Sequence, residues 1–393
     1  MSFKKAKGNV TVMEIFTTDE RKAGLKEKIA KCDGEYGFIG YCLKYEAQKA
    51  IGCPLYSVTY TKSRAASGNP HDYYSEAPYW WPNPENPDGP FIRRDGEIYP
   101  GRFEKHTLDM SEMAKAVYIL SCAGYFFESR EYTAKAEALL DNWFINADTA
   151  MNPSLDYAQA ISGVSLGRGI GIIDTAALIL VISAMDYFTA AGGSKETTER
   201  LKDWFGKYVT WMDTSKNGKD ERDYFNNHAN WWNTQAASFS AFSGDTAMAK
   251  RCFDRLINKI IPEQTGPDGE FIDELTRTNS LTYCLYNLEA CIVTAQAAAM
   301  YGIDLYSAET LDGKGIRKSL DYMFPFYKNP YTWEHKQITG RNIAPSVSFQ
   351  LAGERLDKKY ASAQKLRSAG VYPLANLGHI GALCFLDGYQ SDK

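Results

Sequence analysis

The sequence predicts an all-α fold, a single-domain toroid of helical hairpins, from three observations. Apolar residues recur at i, i+3 and i+4 along most of the chain, which is the periodicity of helices with one buried face. Short linkers of Gly, Asn or Pro join consecutive segments, so neighbouring helices are expected to be antiparallel. No linker is long or low-complexity enough to divide residues 1–393, so we expect one (α/α) toroid domain, an incomplete barrel.

Helical periodicity marks segments along most of the chain, whereas long strand-like alternation is scarce. No repeat of fixed length is visible in the sequence. The predicted helices cover residues 111–127, 131–144, 172–191, 196–212, 229–242, 245–260, 280–301, 316–327 and 358–367.

The main segment without helical periodicity is 60–104, which is rich in Pro, Gly, Asn, Asp and aromatic residues. A loop of this length inside a compact domain is usually functional, so we expect it to lie over a cleft as a lid or wall. The residues of this loop that we expect to contact substrate are His71, Tyr73, Trp80, Trp81, Arg93 and Arg94. For Arg93 the alternative is that it only pairs with Asp95 on the surface.

Two polar stretches adjoin helical or aromatic runs and are expected at helix starts that face the cleft. They read FNNHANWWNTQ at residues 225–235 and DELTRTNSLTY at residues 273–283. Between them they hold Asn227, His228, Arg277 and Tyr283. These are residue types that can break a uronic-acid polymer by β-elimination.

The elimination removes the C5 proton beside the uronate carboxylate, so the resulting second negative charge must be neutralised. An Asn amide, an Arg or a protonated His can do this. A base must take the proton and an acid must protonate O4, and one tyrosine can do both when the two atoms lie on the same ring face. The reaction requires no metal or organic cofactor, so we expect none.

Two features favour Tyr283 as the catalytic base. Ser280 is predicted to cap the helix that follows, which places Tyr283 in the first helical turn, where the helix dipole favours negative charge. Arg277 lies just outside that helix. Both effects are expected to lower the phenol pKa from about 10. Each residue type alone is also common in purely structural roles. The combination of Asn227, His228, Arg277 and Tyr283 is more specific for this chemistry than any one of them.

The chain resembles the alginate lyase superfamily of helical-toroid polysaccharide lyases, and most closely polysaccharide lyase family 38, which includes alginate and glucuronan lyases. Three blocks carry the resemblance. They are residues 67–97, residues 151–174, and the pair formed by the NNH and RTNSLTY motifs. The resemblance covers residues 60–300 and implies an (α/α) toroid.

The resemblance also implies roles for single residues. Asn227 and Arg277 correspond to neutralisers of the carboxylate, His228 to a neutraliser or second base, and Tyr283 to the catalytic base and acid. Gln159 corresponds to a further neutralising donor. The interval from Arg277 to Tyr283 is one residue shorter than in the related family-5 alginate lyases.

Composition favours an anionic carbohydrate over nucleic acid as the partner. The net charge is −4 and the pI is about 5.9, so a polyanion would need a local basic site. Aromatic residues make up 13% of the chain, and clusters such as Trp231-Trp232 in polar text suit sugar stacking as well as packing. The candidate cations are Arg93, Arg94, Arg168 and Arg277, and Trp231 is a further candidate contact.

No metal site, membrane insertion or nucleic-acid partner is expected. The five histidines form no HxH or HExxH pair, and no CxxC pair exists. The longest apolar run, residues 176–185, is too short to span a bilayer. The start MSFKKAKGNV lacks the apolar core of a signal peptide. The resemblance nevertheless implies a periplasmic or otherwise exported enzyme, and we expect a monomer.

Two other function classes remain open at this point. A glycoside hydrolase needs two facing carboxylic acids, and Asp268, Glu270, Asp273 and Glu274 are candidates, although they also suit helix first turns. A non-catalytic glycan-binding protein would use the same aromatic clusters. The preferred uronate is open too, and mannuronate-containing alginate is the expected substrate, with glucuronan as the alternative.

Overall fold

A computed structural model describes residues 17–32, 35–341 and 347–360 of the chain. Within them the fold is almost entirely helical. The α-helices are α1 Asp19–Ala30, α2 Glu35–Ile51, α3 Lys105–Phe126, α4 Arg130–Leu140, α5 Ile179–Ala190, α6 Lys195–Thr214, α7 Lys216–Arg222, α8 Asn227–Ser243, α9 Thr246–Arg255, α10 Ile261–Gln264, α11 Ile272–Leu275, α12 Ser280–Met300, α13 Ile316–Lys328 and α14 Val347–Arg355.

The helices form a ring with two layers, as the sequence predicts. Helices α3, α5, α8 and α12 pack side by side on the inside. Of the outer helices, α4, α9 and α13 each cover the inner helix that precedes them, whereas α6 packs mainly on α8, the inner helix that follows it. The inner helices are buried over most of their surface, whereas the outer ones bury one face. An ion pair of 2.6 Å between Arg21 on α1 and Glu354 on α14 joins the two ends of the described ring.

Short irregular helices extend several of the predicted ones. Residues Gly169–Leu178 form a 3₁₀-helix that leads into α5, and π-helical turns follow α4 at Asp141–Ile145 and α9 at Leu256–Ile260. Eight of the predicted helices match observed ones within a few residues. The ninth, at 358–367, lies mostly outside the described residues, and helices α1, α2, α7, α10, α11 and α14 were not predicted.

The segment Gly169–Ala190 is long and apolar enough to cross a membrane by length and composition alone. Its most apolar window has a mean hydropathy of 1.8 and is 56% buried inside the protein. It packs against α3 and α8, as a core helix of the ring does.

The predicted loop leads from a 3₁₀ turn at Val58–Tyr60 to the start of α3 and holds three short strands. Strand β1 (Tyr74–Glu76) pairs in parallel with β4 (Tyr157–Ala160), and β2 (Trp80–Trp81) pairs antiparallel with β3 (Ile92–Arg93). These contacts fasten the loop to the segment before α5 and fold it back on itself, so that it reaches one end of the ring.

Candidate active site

Helices α8 and α12 bring the two polar stretches together because they run parallel. Nδ2 of Asn230 donates to Oδ1 of Asn287 at 2.7 Å, and Oγ1 of Thr234 lies 2.9 Å from Oγ1 of Thr294. Residue numbers rise together along both helices, so the two helices begin at the same end of the ring. Tyr283 lies in the first turn of α12, where its N–H donates to the Asn279 carbonyl at 3.1 Å.

The start of α12 differs from the prediction in one respect. Ser280 is the first helical residue rather than the cap, and no side chain caps the helix from position 279. The Ser280 hydroxyl donates to the Lys336 carbonyl at 2.7 Å, and tertiary contacts take the place of a local cap, since the Leu281 N–H donates to Oε1 of Gln337 at 3.1 Å. At α8 the expected kind of cap is present, since Oδ1 of Asn226 accepts the His228 N–H at 3.1 Å.

The Tyr283 side chain is held on two sides. Its hydroxyl oxygen lies 2.6 Å from that of Tyr79, which the loop supplies. The Arg277 guanidinium carbon lies 3.8 Å from the centre of the Tyr283 ring, which is a cation–π contact. The hydroxyl that would act on substrate therefore lies beside a second phenol and a fixed positive charge.

The expected lowering of the Tyr283 pKa is wrong for this state of the protein. Burial raises the pKa of Tyr283 well above its ordinary value, and the neighbouring Tyr79 adds to this. Arg277 opposes the rise, as expected, but does not overcome it. Tyr283 is thus a neutral phenol at neutral pH when no substrate is bound.

Arg277 is oriented by an acid that the sequence offered only as a surface partner of Arg93. Nη2 of Arg277 donates to Asp95 at 3.0 Å, and Thr278 Oγ1 donates to the same carboxylate at 2.9 Å. Arg93 also pairs with Asp95, at 2.9 Å, as the alternative prediction had it. Although burial opposes it, hydrogen bonds from Arg277 and Thr278 lower the pKa of Asp95 to about 2. The loop is thereby tied to the segment before α12.

Asn227 is fully buried and faces Glu274 on α11. Its backbone N–H and its Nδ2 both donate to Oε1 of Glu274, each at 2.7 Å. Burial raises the pKa of Glu274, and the Asn227 hydrogen bonds oppose that rise. Nη1 of Arg277 lies 3.9 Å from the other oxygen of Glu274. Asn227 thus links the start of α8 to Arg277 through Glu274. Because Asn227 is fully buried, it supports the site from beneath the surface.

His228 is partly exposed and is oriented by a buried acid on α7. Its Nδ1 lies 2.9 Å from Oε1 of Glu221, a residue with no exposed surface. Burial raises the pKa of Glu221, and His228 opposes the rise. With Glu221 ionised, Nδ1 carries the proton and Nε2 keeps the lone pair that a base or a hydrogen-bond acceptor needs.

A third group of residues surrounds Gln159, which has a left-handed backbone with φ of 48°. Nε2 of Gln159 donates to Asp174 at 2.9 Å, and its Oε1 accepts from Arg168 at 3.0 Å. Asp174 also accepts from Ser75 and Tyr73. Burial lowers the pKa of Arg168 to about 10, so Arg168 stays charged at neutral pH. Gln159 therefore positions Arg168, and Glu221 is near enough to Arg168 to stabilise its charge.

The remaining predicted contacts divide into buried and exposed residues. Tyr73 and Trp231 are almost fully buried, and Trp231 stacks on Tyr286 with centroids 4.5 Å apart, so neither offers a ring face to a sugar. The His71 ring bonds the Ala150 carbonyl at 2.7 Å. The loop residues that keep exposed surface are Trp80, Trp81, Arg93 and Arg94, with Arg94 over the Trp81 ring.

Sequence reasoning missed several residues of the site. Tyr79 and Asp95 lie within the block 67–97, and Asp174 ends the block 151–174, but the sequence gives none of them a place in the site. Glu221 has no signal beyond its position before the NNH motif. The sequence offers Glu274 as a hydrolase acid or a helix first-turn residue, and not as a partner of Asn227.

Comparison with known proteins decides the family. The family model described as alginate lyase matches residues 57–333, which is more than half of the chain. This chain belongs to the alginate lyase family. The resemblance to the alginate lyase superfamily is thereby confirmed, and the chain is a polysaccharide lyase.

Solved structures of alginate lyases are similar to the chain over nearly its whole length. An alginate lyase from Bacteroides ovatus has 31% identity and a TM-score of 0.86, covering 95% of this chain and 98% of that one. Alginate lyase A1-III from Sphingomonas species A1 has 18% identity and a TM-score of 0.52, covering 89% and 95%. A histidine-to-alanine variant of A1-III complexed with a tetrasaccharide has 18% identity and a TM-score of 0.57, covering 98% and 100%. No curated protein matches the chain. These structures share the (α/α) toroid fold with this chain.

Proposed function

We propose that this alginate lyase family member cleaves alginate, preferentially at mannuronate, by β-elimination. The observation that carries the proposal is the position of the Tyr283 hydroxyl, with Tyr79 at 2.6 Å and the Arg277 charge against its ring. Arg168 supplies a further charged donor near this site, and His228 supplies a ring nitrogen, Nε2, that accepts when neutral and donates when protonated. The names of the Bacteroides ovatus and A1-III relatives support alginate as the substrate.

Because Tyr283 is a neutral phenol in the free protein, its proton first passes to solvent, and in the proposed reaction the resulting phenolate removes the proton from C5. The electron pair of that C–H bond forms the C4=C5 double bond, and the bond from C4 to the glycosidic oxygen breaks. Tyr283, now protonated, returns its proton to that oxygen. The products are a new chain end and a 4,5-unsaturated uronate, and Tyr283 ends as the phenolate that began the cycle.

The carboxylate beside C5 gains negative charge in the transition state, so the groups that face it matter most. Arg277 is the donor best placed to neutralise it, since Asp95 fixes its guanidinium and Tyr283 lies against its face. Arg168 adds positive charge from the segment before α5, and His228 on α8 becomes a donor to the carboxylate when its Nε2 is protonated. Asn227 acts through Glu274 rather than by direct contact, since its amide hydrogen bonds to that acid.

Activation of Tyr283 follows from the same charges. Burial keeps the phenol neutral in the free protein, whereas Arg277 favours the phenolate. Mannuronate and glucuronate place H5 and O4 so that one residue on one side can serve both, which suits a single tyrosine. Glucuronan is therefore the second candidate substrate.

The proposal is tested on a panel of polymannuronate, polyguluronate, glucuronan and hyaluronan. The expected result is a rise in the ultraviolet absorbance of the conjugated double bond, largest on polymannuronate and unchanged by EDTA. Loss of activity with EDTA, restored by a divalent ion, would show that a metal neutralises the carboxylate instead.

The same panel separates the other two function classes. New reducing ends without the absorbance would indicate hydrolysis, although among the four acids considered for it Glu274 is committed to Asn227 and Glu270 accepts the Asp268 N–H. Binding without any new chain ends would indicate a glycan-binding protein.

A further inference from the structure

An exposed pair of aromatic rings lies beside His228 and has no part in the site described above. Tyr224 and Phe225, in the turn between α7 and α8, stack on each other with centroids 4.6 Å apart and an interplanar angle of 26°. Phe225 is 59% exposed and Tyr224 is 38% exposed. We name this pair the aromatic platform. The Tyr224 ring meets the His228 ring edge to face at 5.6 Å, so the platform continues the surface of the cleft.

Positive charge lies on both sides of the platform. On the cleft side, Tyr224 is close enough to Arg168 for the two to interact electrostatically. On the other side, Asp223 is shared by three cations, with Arg222, Arg255 and Lys259 at 2.7, 3.5 and 3.8 Å. Asp213 is a second partner of Arg222, at 3.6 Å, whereas Arg255 and Lys259 lie farther from Asp223, so these two are the cations most available to an anion.

A cavity of about 420 Å³ opens beside Asp223, and we name it the Trp232 cavity because Trp232 of α8 forms part of its wall. Its charged lining is three arginines and three aspartates, namely Arg222, Arg251, Arg255, Asp213, Asp223 and Asp254. Nε1 of Trp232 and Nε of Arg255 are buried without a hydrogen-bond partner among the described residues. Both are donors only, so the groups that would complement them are acceptors such as carboxylate or hydroxyl oxygens.

A uronate unit matches both features, since it has an apolar face of C–H groups and a carboxylate at its rim. We propose that the aromatic platform and the Trp232 cavity form a binding subsite for a uronate next to the one cleaved, with its ring on Phe225 and its carboxylate toward Arg255 and Lys259. This subsite rests on the proposed function for the identity of the polymer. Its role is to hold the chain in the ground state, apart from the chemistry at Tyr283.

The test measures binding without turnover, in a Tyr283→Phe background. The probe is a mannuronate tetrasaccharide, and its affinity is measured by calorimetry with and without Phe225→Ala. The expected result is an affinity about tenfold weaker in the Phe225→Ala protein, equivalent to about 1.4 kcal/mol. Lys259→Glu should weaken binding as well, and more so at low salt.

Tyr41→Ala is the matched control. Tyr41 is 69% exposed and lies on α2, which packs on α1, α3 and α4, away from the platform. The control should bind as tightly as its parent. Equal affinities in the Phe225→Ala and Tyr41→Ala proteins, or no binding of the tetrasaccharide to the parent, would overturn the subsite.

Turnover by the wild-type protein distinguishes this inference from the proposed function. Weakened binding in the Phe225→Ala protein together with an inactive wild type would support the subsite and defeat the lyase proposal. An active wild type, together with a Phe225→Ala protein that binds the tetrasaccharide as tightly as its parent, would support the lyase proposal and overturn the subsite. Thermal unfolding of each variant checks that the exposed substitutions leave the fold intact.

Discussion

The phenolic oxygens of Tyr79 and Tyr283 lie 2.6 Å apart, although 204 positions separate the two residues in the sequence. Tyr79 comes from the loop over the cleft and Tyr283 from the first turn of α12. This is the only hydrogen bond of the Tyr283 hydroxyl to the described residues. The contact makes the loop part of the catalytic geometry, because the orientation of the proposed base depends on where the loop lies.

Tyr79→Phe should therefore lower kcat with little change in KM. The Tyr283 hydroxyl loses the partner that orients it, and a hydrogen bond of this kind contributes about 0.5–1.5 kcal/mol, so a loss of about three- to tenfold is expected. Steady-state kinetics on polymannuronate measure the effect. An unchanged kcat would show that Tyr79 does not orient the Tyr283 hydroxyl and that the loop has no part in the reaction through this contact.

Arg277→Ala should reduce kcat far more than it raises KM. The guanidinium is proposed to neutralise charge that develops in the transition state, and loss of such a donor costs about 2.7–4 kcal/mol. Arg93→Ala is the matched control, because Arg93 bonds the same Asp95 carboxylate and is much more exposed. If the two variants lose activity equally, or if Arg277→Ala affects KM alone, Arg277 is a binding residue.

The pH profile of kcat/KM should rise through the neutral and alkaline range. A base acts when deprotonated, and burial raises the pKa of Tyr283 above its ordinary value of about 10, so the active phenolate fraction grows about tenfold per pH unit below that pKa. The measurement is kcat/KM on polymannuronate between about pH 6 and 9. A plateau that begins near pH 6.5 would point to a histidine base.

His228→Asn should harm cleavage of polyguluronate more than that of polymannuronate. Guluronate presents its C5 proton on the opposite face, where Tyr283 cannot reach it, and His228 is the nearest alternative base. Glu221 fixes Nδ1 of His228 and so leaves Nε2 for that proton. The prediction applies if the enzyme cleaves both polymers. Equal losses on the two block types would limit His228 to holding the carboxylate.

The sequence predicted the fold and the position of Tyr283 at a helix start because both depend on local patterns. Helical periodicity located α12, and the polar text before it located Arg277 and placed Tyr283 in the first turn. The cap was assigned to Ser280 from its residue type alone. In the structure the hydroxyl of Ser280 bonds the carbonyl of Lys336, a partner 56 positions away that no local pattern indicates.

The parts that escaped prediction depend on long-range contacts. Tyr79 and Asp95 lie in a loop without periodicity, and its path is set by strand pairing with β4 and by the ion pair with Arg277. Trp231 looked exposed because its neighbours are polar. Helix α8 is nevertheless an inner helix, and its Asn230 and Thr234 side chains contact α12 through hydrogen bonds, so Trp231 is buried as well.

The central claim is that Tyr283 is both base and acid, and Tyr283→Phe tests it most directly. The substitution removes one oxygen and leaves the ring against Arg277, so circular dichroism and thermal unfolding should match the wild type. General acid–base groups contribute about 10²- to 10⁴-fold each, so the absorbance change on polymannuronate should fall by at least two orders of magnitude. A correctly folded Tyr283→Phe protein that kept more than about a tenth of wild-type kcat would contradict the assignment of Tyr283 as the catalytic base.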